Sequence, residues 1–302
     1  MKKKNPYGRQ VDVQLGWENG RLRQPNAKEM ERLQQMARQV RRHVLQMVHS
    51  AGAGHAGGPL SAADILVTLY FWALRVDPLR PRWPERDRFV LSKGHASPGM
   101  YAVLAERGFL QVDRLTTYFE LDTEMQGHPD RKKTPGIEIS AGPLGMGLSV
   151  AVGMALGARL DDLGCRIYAL LSDGENQAGM TWEAAMLAGV RGLGNLTAIV
   201  DYNKLQLSDF LEDMVDVAPL ADKWRAFNWQ VVEIDGHDIR QIVDGINESL
   251  AERDRPTVLI AHTVKGKGIS YMENVPKWHY GGPTDEELAI GLSELAEPET
   301  VS

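Results

Sequence analysis

The stretch from Cys165 to Asn203 leaves the chain few folds to choose from. Cys165 to Leu171 is a short, largely apolar run that reads as a buried strand, and it ends on Ser172-Asp173-Gly174-Glu175, where Asp-Gly signals a turn. A helical pattern from Thr181 to Val190 follows. Leu196 to Val200 then reads as a second strand, which delivers Asp201-Tyr202-Asn203 beyond its own end. Strand, helix and strand in succession make a right-handed parallel unit, and sheets built of such units bind ligands outside their carboxyl ends. Asp173 and Asn203 are therefore predicted to face one crevice.

Two oxygen-bearing side chains in one crevice suit a hard cation. Magnesium takes oxygen ligands octahedrally and completes its shell with waters and substrate phosphates. The carboxylate of Asp173, the amide oxygen of Asn203 and a backbone carbonyl near Leu205 leave room for a diphosphate. An isolated Asp-Gly is more often a plain turn, and Asn203 a plain loop residue. The spacing and the flanking strands are what weigh against that reading.

The alternation continues on either side. Residues up to about Pro25 lack periodicity, so residues 1–26 are expected to form an arm. From Ala27 a long helix places Met30, Leu33, Met36, Val40, Val44, Leu45 and Val48 on one face. Ser61 and Asp64 have the spacing of a capping box ahead of a helix through Leu74. Arg88 to Leu91 is a strand, as are Trp229 to Ile234 and Pro256 to Ala261, with a helix over 239–250 and a closing helix over 285–295. The expected fold is α/β, three-layered, with a mostly parallel central sheet flanked by helices. No linker or repeat divides residues 27–302, which are expected to form a single domain.

Composition narrows the classes. A net charge of -6 argues against a nucleic-acid surface. Cys165 is the only cysteine, which rules out an internal disulfide and makes a reducing cytoplasm the expected compartment. The basic start Met1 to Lys4 is followed by a polar stretch, not by the apolar segment of a secretion signal. The longest apolar run, Leu144 to Ala158, is too short to span a bilayer comfortably and reads as a buried helix. No membrane partner is expected.

Histidines follow glycines at His55, His95, His128 and His237, four of the eight in the chain. A glycine-lined histidine is open to close approach by a ligand. Each is weak alone, since a lone loop histidine is usually exposed or structurally satisfied; together they matter only if the fold gathers them. No H-E-x-x-H, no zinc-spaced Cys/His cluster and no G-x-S-x-G elbow offers another chemistry. Ala141-Gly-Pro-Leu-Gly-Met-Gly147 runs into a small-residue helix, where free N–H groups can cradle phosphate or a polar ring, or simply pack a tight connection.

Taken jointly, Ala53-Gly-His-Ala-Gly-Gly58, Asp87 to Ser97, Gly127-His-Pro129, Gly142-Pro-Leu-Gly145, Asp173-Gly174 with Asn203, Ile234-Asp-Gly-His-Asp238 and Trp278-His279 resemble transketolase. The resemblance runs from about Met30 to Leu295 and is to the amino-terminal, thiamine diphosphate-binding half that some organisms make as a separate chain. It implies an enzyme that moves a two-carbon ketol unit between sugar phosphates, with thiamine diphosphate and Mg2+, or another divalent cation such as Ca2+ or Mn2+. By resemblance, Asp173, Asn203 and the Leu205 carbonyl would hold the metal, with Gly174 beside the diphosphate. His95 and His279 would contact the cofactor, and Gly142, Pro143 and Leu144 would lie along its pyrimidine ring. His55, His128 and His279 would face substrate.

Two positions depart from the family pattern. Ser172 stands where the family has glycine, and Ala178 where it has a glutamate near the subunit interface. By resemblance, the half that in the family supplies the pyrimidine-activating glutamate and the sugar-phosphate groups is expected on a second chain. The implied partner is therefore a C-terminal transketolase subunit in an α2β2 assembly. Rival readings are a non-catalytic cofactor-binding scaffold, a 2-oxo acid dehydrogenase α subunit, or a deoxyxylulose phosphate synthase.

Overall fold

The computed structural model describes residues 16–296, together with the short strands Lys3–Lys4 and Gln10–Val11. Five strands form the central sheet: β1 (Arg88–Leu91), β2 (Ile167–Ser172), β3 (Leu196–Tyr202), β4 (Gln230–Asp235) and β5 (Thr257–His262). They lie in the order β4-β5-β3-β2-β1 and pair in parallel throughout. Parallel strands need crossovers over the faces, so both faces are covered and the strands are nearly all apolar.

Side chains alternate between those faces with period two. Ile167, Ala169 and Leu171 of β2 join Leu196, Ala198 and Val200 of β3 in one core, while Tyr168, Leu170 and Ile199 enter the other. The first core is closed by α5 (Met146–Leu160) and α6 (Gly179–Val190). The second is closed by α1 (Ala27–Ala51), α2 (Gly57–Ser61), α3 (Ala63–Thr68), α4 (Ser97–Arg107) and α7 (Ile239–Ala251), with α8 (Asp285–Glu294) packed behind α1. The expected three-layer α/β architecture is the one found.

Local chemistry sets the ends of α1. The Asn26 side chain accepts from Glu29 N and Glu29 returns the bond to Asn26 N, which satisfies two donors that the helix leaves free. At the other end Gly52 takes the left-handed conformation, at φ 61°, that stops the helix.

Two expectations need correction. Ser61 and Asp64 form no capping box: the helix already runs from Gly57, Ser61 Oγ bonds the Gly58 carbonyl and Asp201, and Asp64 pairs with Arg41 and His237. Tertiary partners override the local motif. The apolar run from Leu144 does become a helix, but one face stays open, with Met146, Val150 and Leu160 exposed. The 1–26 arm lies partly outside the described residues. From Gly16 it packs back on the body, Leu22 being buried and bonded through its backbone N and O to the Asn247 side chain.

Candidate active site

The carboxyl ends of the strands all empty onto one edge. β1 leads into Lys93-Gly94-His95, β2 into Asp173-Gly174, β3 into Asn203, β4 into His237 and β5 into Lys265. Parallel pairing with Ser172 opposite Asp201 sets the Asp173 turn beside the Asn203 loop.

Asp173 is buried, and its two oxygens accept from Gly174 N at 2.8 Å and Lys204 N at 2.6 Å. Burial, with the nearby charge of Asp201, pushes its carboxyl up to about 6 against those N–H bonds. Asn203 Oδ1 accepts from Leu205 N at 3.2 Å, and the Leu205 carbonyl accepts from Lys265 Nζ at 3.1 Å. Asp173 is thus tied through Lys204 N to the segment that carries the other two oxygens expected at a metal. Among the described residues no cluster of three or more His, Cys, Asp or Glu is suited to a metal. A cation here relies on one carboxylate and neutral oxygens, a donor set that leaves positions for ligand phosphates.

Four of the histidines are gathered as well. The ring of His55 lies 5.2 Å from that of His95, 6.1 Å from His128 and 5.1 Å from His279, and His95 and His279 are 5.6 Å apart. Two glycines border the cluster: a Cβ on Gly58 would stand in ordinary contact, 3.6 Å from the His95 ring, and one on Gly142 would stand 3.8 Å from His128. Gly142 is thus placed against the cluster, with Pro143 and Leu144 exposed after it. His55 Nδ1 is buried without a hydrogen-bond partner, as a group awaiting a ligand would be. Burial, helped by His128, Lys265 and Lys93, pulls His55 down to about 4; burial and then Lys265 take His279 to about 3. Burial also lowers His95 and the more exposed His128. All four are neutral near pH 7.

His237 is different. Its Nδ1 meets Asp64 at 2.8 Å and its Nε2 accepts from Val264 N at 2.9 Å, so the proton sits on Nδ1 and both nitrogens are engaged. It braces the loop that carries Lys265.

Sequence reasoning does not single out Lys265. It is buried, donates to His279 Nδ1 at 2.9 Å, and thereby leaves the His279 proton on Nε2. Burial brings its ammonium down to about 8, Lys93 adding to the shift and Asp173 opposing it. The available signal was a lysine followed by a glycine, four residues past an apolar strand. Asp201 is a second missed residue, accepting from Lys93, from Thr263, from Ser61 at 2.6 Å and from Asn203 at 3.2 Å. Burial raises its carboxyl, but Lys93 and these donors outweigh that and hold it below its usual range.

Glu175 ties the edge together, accepting from Ser92 Oγ, from Gly145 N at 2.7 Å and from Ser172 N at 3.2 Å. Ser172 in turn accepts from Glu175 N through its hydroxyl at 3.3 Å. The extra side chain at this departure from the family pattern is turned into the protein. A separate cavity of 520 Å3 opens beside Asn203, walled by Tyr202, Lys204, Phe210, His262 and Thr263; none of the clustered histidines lines it.

Residues 32–292 match the family described as "Transketolase, thiamine diphosphate binding domain". The chain is similar to a 6-deoxy-6-sulfo-D-fructose transketolase subunit of Clostridium sp. (strain MSTE9), at 41% identity over 87% of this chain and 96% of the relative. It is also similar to one of the subunits of an apulose-4-phosphate transketolase of Actinobacillus succinogenes, at 43% identity over 88% and 96%. Among solved structures it resembles the transketolase of Campylobacter jejuni, with a TM-score of 0.84 and 30% identity. The match covers 90% of this chain and only 44% of that one.

Proposed function

The chain belongs to the transketolase family, within the thiamine diphosphate-binding part of that family, and on that premise we propose that it is the N-terminal subunit of a two-chain transketolase. It carries a two-carbon ketol unit from a ketose phosphate to an aldose acceptor. The observation that supports this best is the convergence of His55, His95, His128 and His279 on the edge that also holds Asp173, Asn203 and the Leu205 carbonyl.

Bound thiamine diphosphate supplies a nucleophilic carbon able to accept and release the ketol unit. Everything else falls to the protein. Asp173, Asn203 and the Leu205 carbonyl would hold Mg2+, or Ca2+ or Mn2+ in its place, and buried Asp173 would serve that ion as a carboxylate. Gly174 would lie beside the diphosphate, His95 and His279 would bond the cofactor, and Gly142, Pro143 and Leu144 would flank its pyrimidine. His279 offers Nε2–H because Lys265 occupies its Nδ1. His55, His128 and His279, neutral at working pH, bind sugar hydroxyls; His55 or His128 takes the hydroxyl proton as the carbon–carbon bond breaks and returns it when the new bond forms.

The partner we propose is a C-terminal transketolase subunit in an α2β2 assembly. Two features support a partner: relatives of nearly the same length are named as subunits, and α5 and α6 leave Met146, Val150, Leu160, Met186, Leu187 and Val190 exposed. Residues 27–302 act as a single domain within it. No helix among the described residues is long and apolar enough to cross a membrane, and a cytoplasmic setting fits the single cysteine. The sugars named for the relatives make a phosphorylated ketose, or a similar anionic one, the donor class to assay first.

The test is to assay ketol transfer from each purified chain and from the mixture. Transfer only in the mixture, abolished by Asp173→Ala, is the expected result. Full turnover by this chain alone would overturn the two-chain reading.

A further inference from the structure

Gly174, placed beside the diphosphate, is not bare. The side chain of Gln206 lies over it, its Cδ 3.1 Å and its Nε2 3.4 Å from where a Cβ would stand. Gln206 is fixed there by a reciprocal pair of amide bonds. Gln177 Nε2 donates to Gln206 Oε1 at 2.7 Å, and Gln206 Nε2 donates to Gln177 Oε1 at 3.0 Å. Gln177 Nε2 also reaches the Val215 carbonyl at 2.8 Å.

The pair joins two segments that otherwise belong to different strands. Gln177 ends the short turn of helix that begins at Gly174, one residue past Asp173. Gln206 directly follows Leu205 in a small hairpin, Leu205–Gln206 against Asp209–Phe210. That hairpin is held under backbone strain, since Lys204 and Leu207 both have positive φ, at 64° and 48°, without being glycine. Besides the Gln pair, the bond from Lys204 N to Asp173 is the tie between these segments that lies closest to the metal oxygens.

We propose that Gln177 and Gln206 form a carboxamide latch that holds the Leu205 carbonyl and Asn203 at a fixed spacing from Asp173 and Gly174, so that the cation–diphosphate site is preorganised before ligand arrives. The proposal rests on the transketolase reading of that site. The two glutamines are positioning residues: they act through the segments that carry the oxygens. Freed from the latch, the strained hairpin relaxes, and binding must then re-order it.

The experiment measures binding of thiamine diphosphate with Mg2+ to the full chain in complex with its partner subunit, by tryptophan fluorescence, together with the release rate after chelation. Gln177→Ala, Gln206→Ala and the double variant are compared with Asp173→Ala. Each single change is expected to weaken binding about tenfold and speed release, with the double no worse than either, because the pair acts as one unit. The melting temperature without ligand should hold. Unchanged affinity, additive losses, or losses that merely follow a lowered melting temperature would overturn the latch. If Asp173→Ala itself leaves metal-dependent binding intact, the metal-site assignment fails instead, whatever the glutamines do.

Discussion

His55 and His237 enter the sequence in the same guise, each behind a glycine in a loop, and the fold gives them opposite work. His55 has a buried Nδ1 with no partner and three other imidazoles within about 6 Å of its ring. His237 has both nitrogens bonded, to Asp64 and to Val264 N, and Asp64 is further paired with Arg41. Unsatisfied polar atoms are costly in a folded interior. A chain keeps them where a ligand completes them, so the contrast supports the proposal that His55 belongs to the site, while His237 is bonded into the frame.

That contrast can be broken at its strongest point first. His55→Ala, assayed with the partner subunit, is expected to lower turnover by about a hundredfold or more, the usual weight of a group that moves protons. Its melting temperature should stay near that of the parent chain. A variant with normal kinetics and a lowered melting temperature would move His55 to the frame with His237.

His237→Ala should show the reverse balance. It strands Val264 N–H and removes one donor from buried Asp64, and the loss of stability is expected to be about 2 kcal/mol, seen in denaturant unfolding. Turnover should fall less than for His55→Ala, because the effect reaches the crevice only through the loop bearing Lys265. His237→Asn, which can keep one of the two bonds, should recover part of the stability.

The finest distinction lies in pH. An unfolded histidine titrates near 6.5, whereas folded His55 titrates at about 4. Between those values the unfolded state binds the proton and the folded state does not, so the stability present above pH 6.5 is lost as pH falls towards 4. Replacing His55 by Asn should flatten that acid slope by at most about 1.4 kcal/mol per pH unit, the value for one proton. An acid limb unchanged in His55→Asn would contradict the buried, neutral state assigned to it.

The fold was readable because it rests on repetition. Each strand is a short apolar run and each crossover a helical period, so boundaries shifted by only one or two residues, as with β2 ending at Ser172 and β3 at Tyr202. Asp173 and Asn203 were legible for the same reason, as residues just past strand ends. The Ser61–Asp64 spacing misled because a capping box is a local pattern, and both side chains found distant partners in Asp201 and in Arg41 with His237. The exposed face of α5 was equally hidden, since an apolar helix reads alike whether the protein or a partner covers it.

By itself, then, the sequence determined the order of elements, the parallel sheet and the residues that must sit at its carboxyl edge, all of which follow from period and from turn chemistry between near neighbours. Only the tertiary structure decided which Gly-His joins the imidazole cluster and which is a brace, that Lys265 sets the proton on His279, that Asp201 gathers four donors and that Gln206 covers Gly174. Among them, Lys265 and His279 stand 14 positions apart in the chain, and Ser61 and Asp201 stand 140 apart. The energies of such contacts depend on burial and on the direction of single hydrogen bonds, which exist once the strands are side by side and not before.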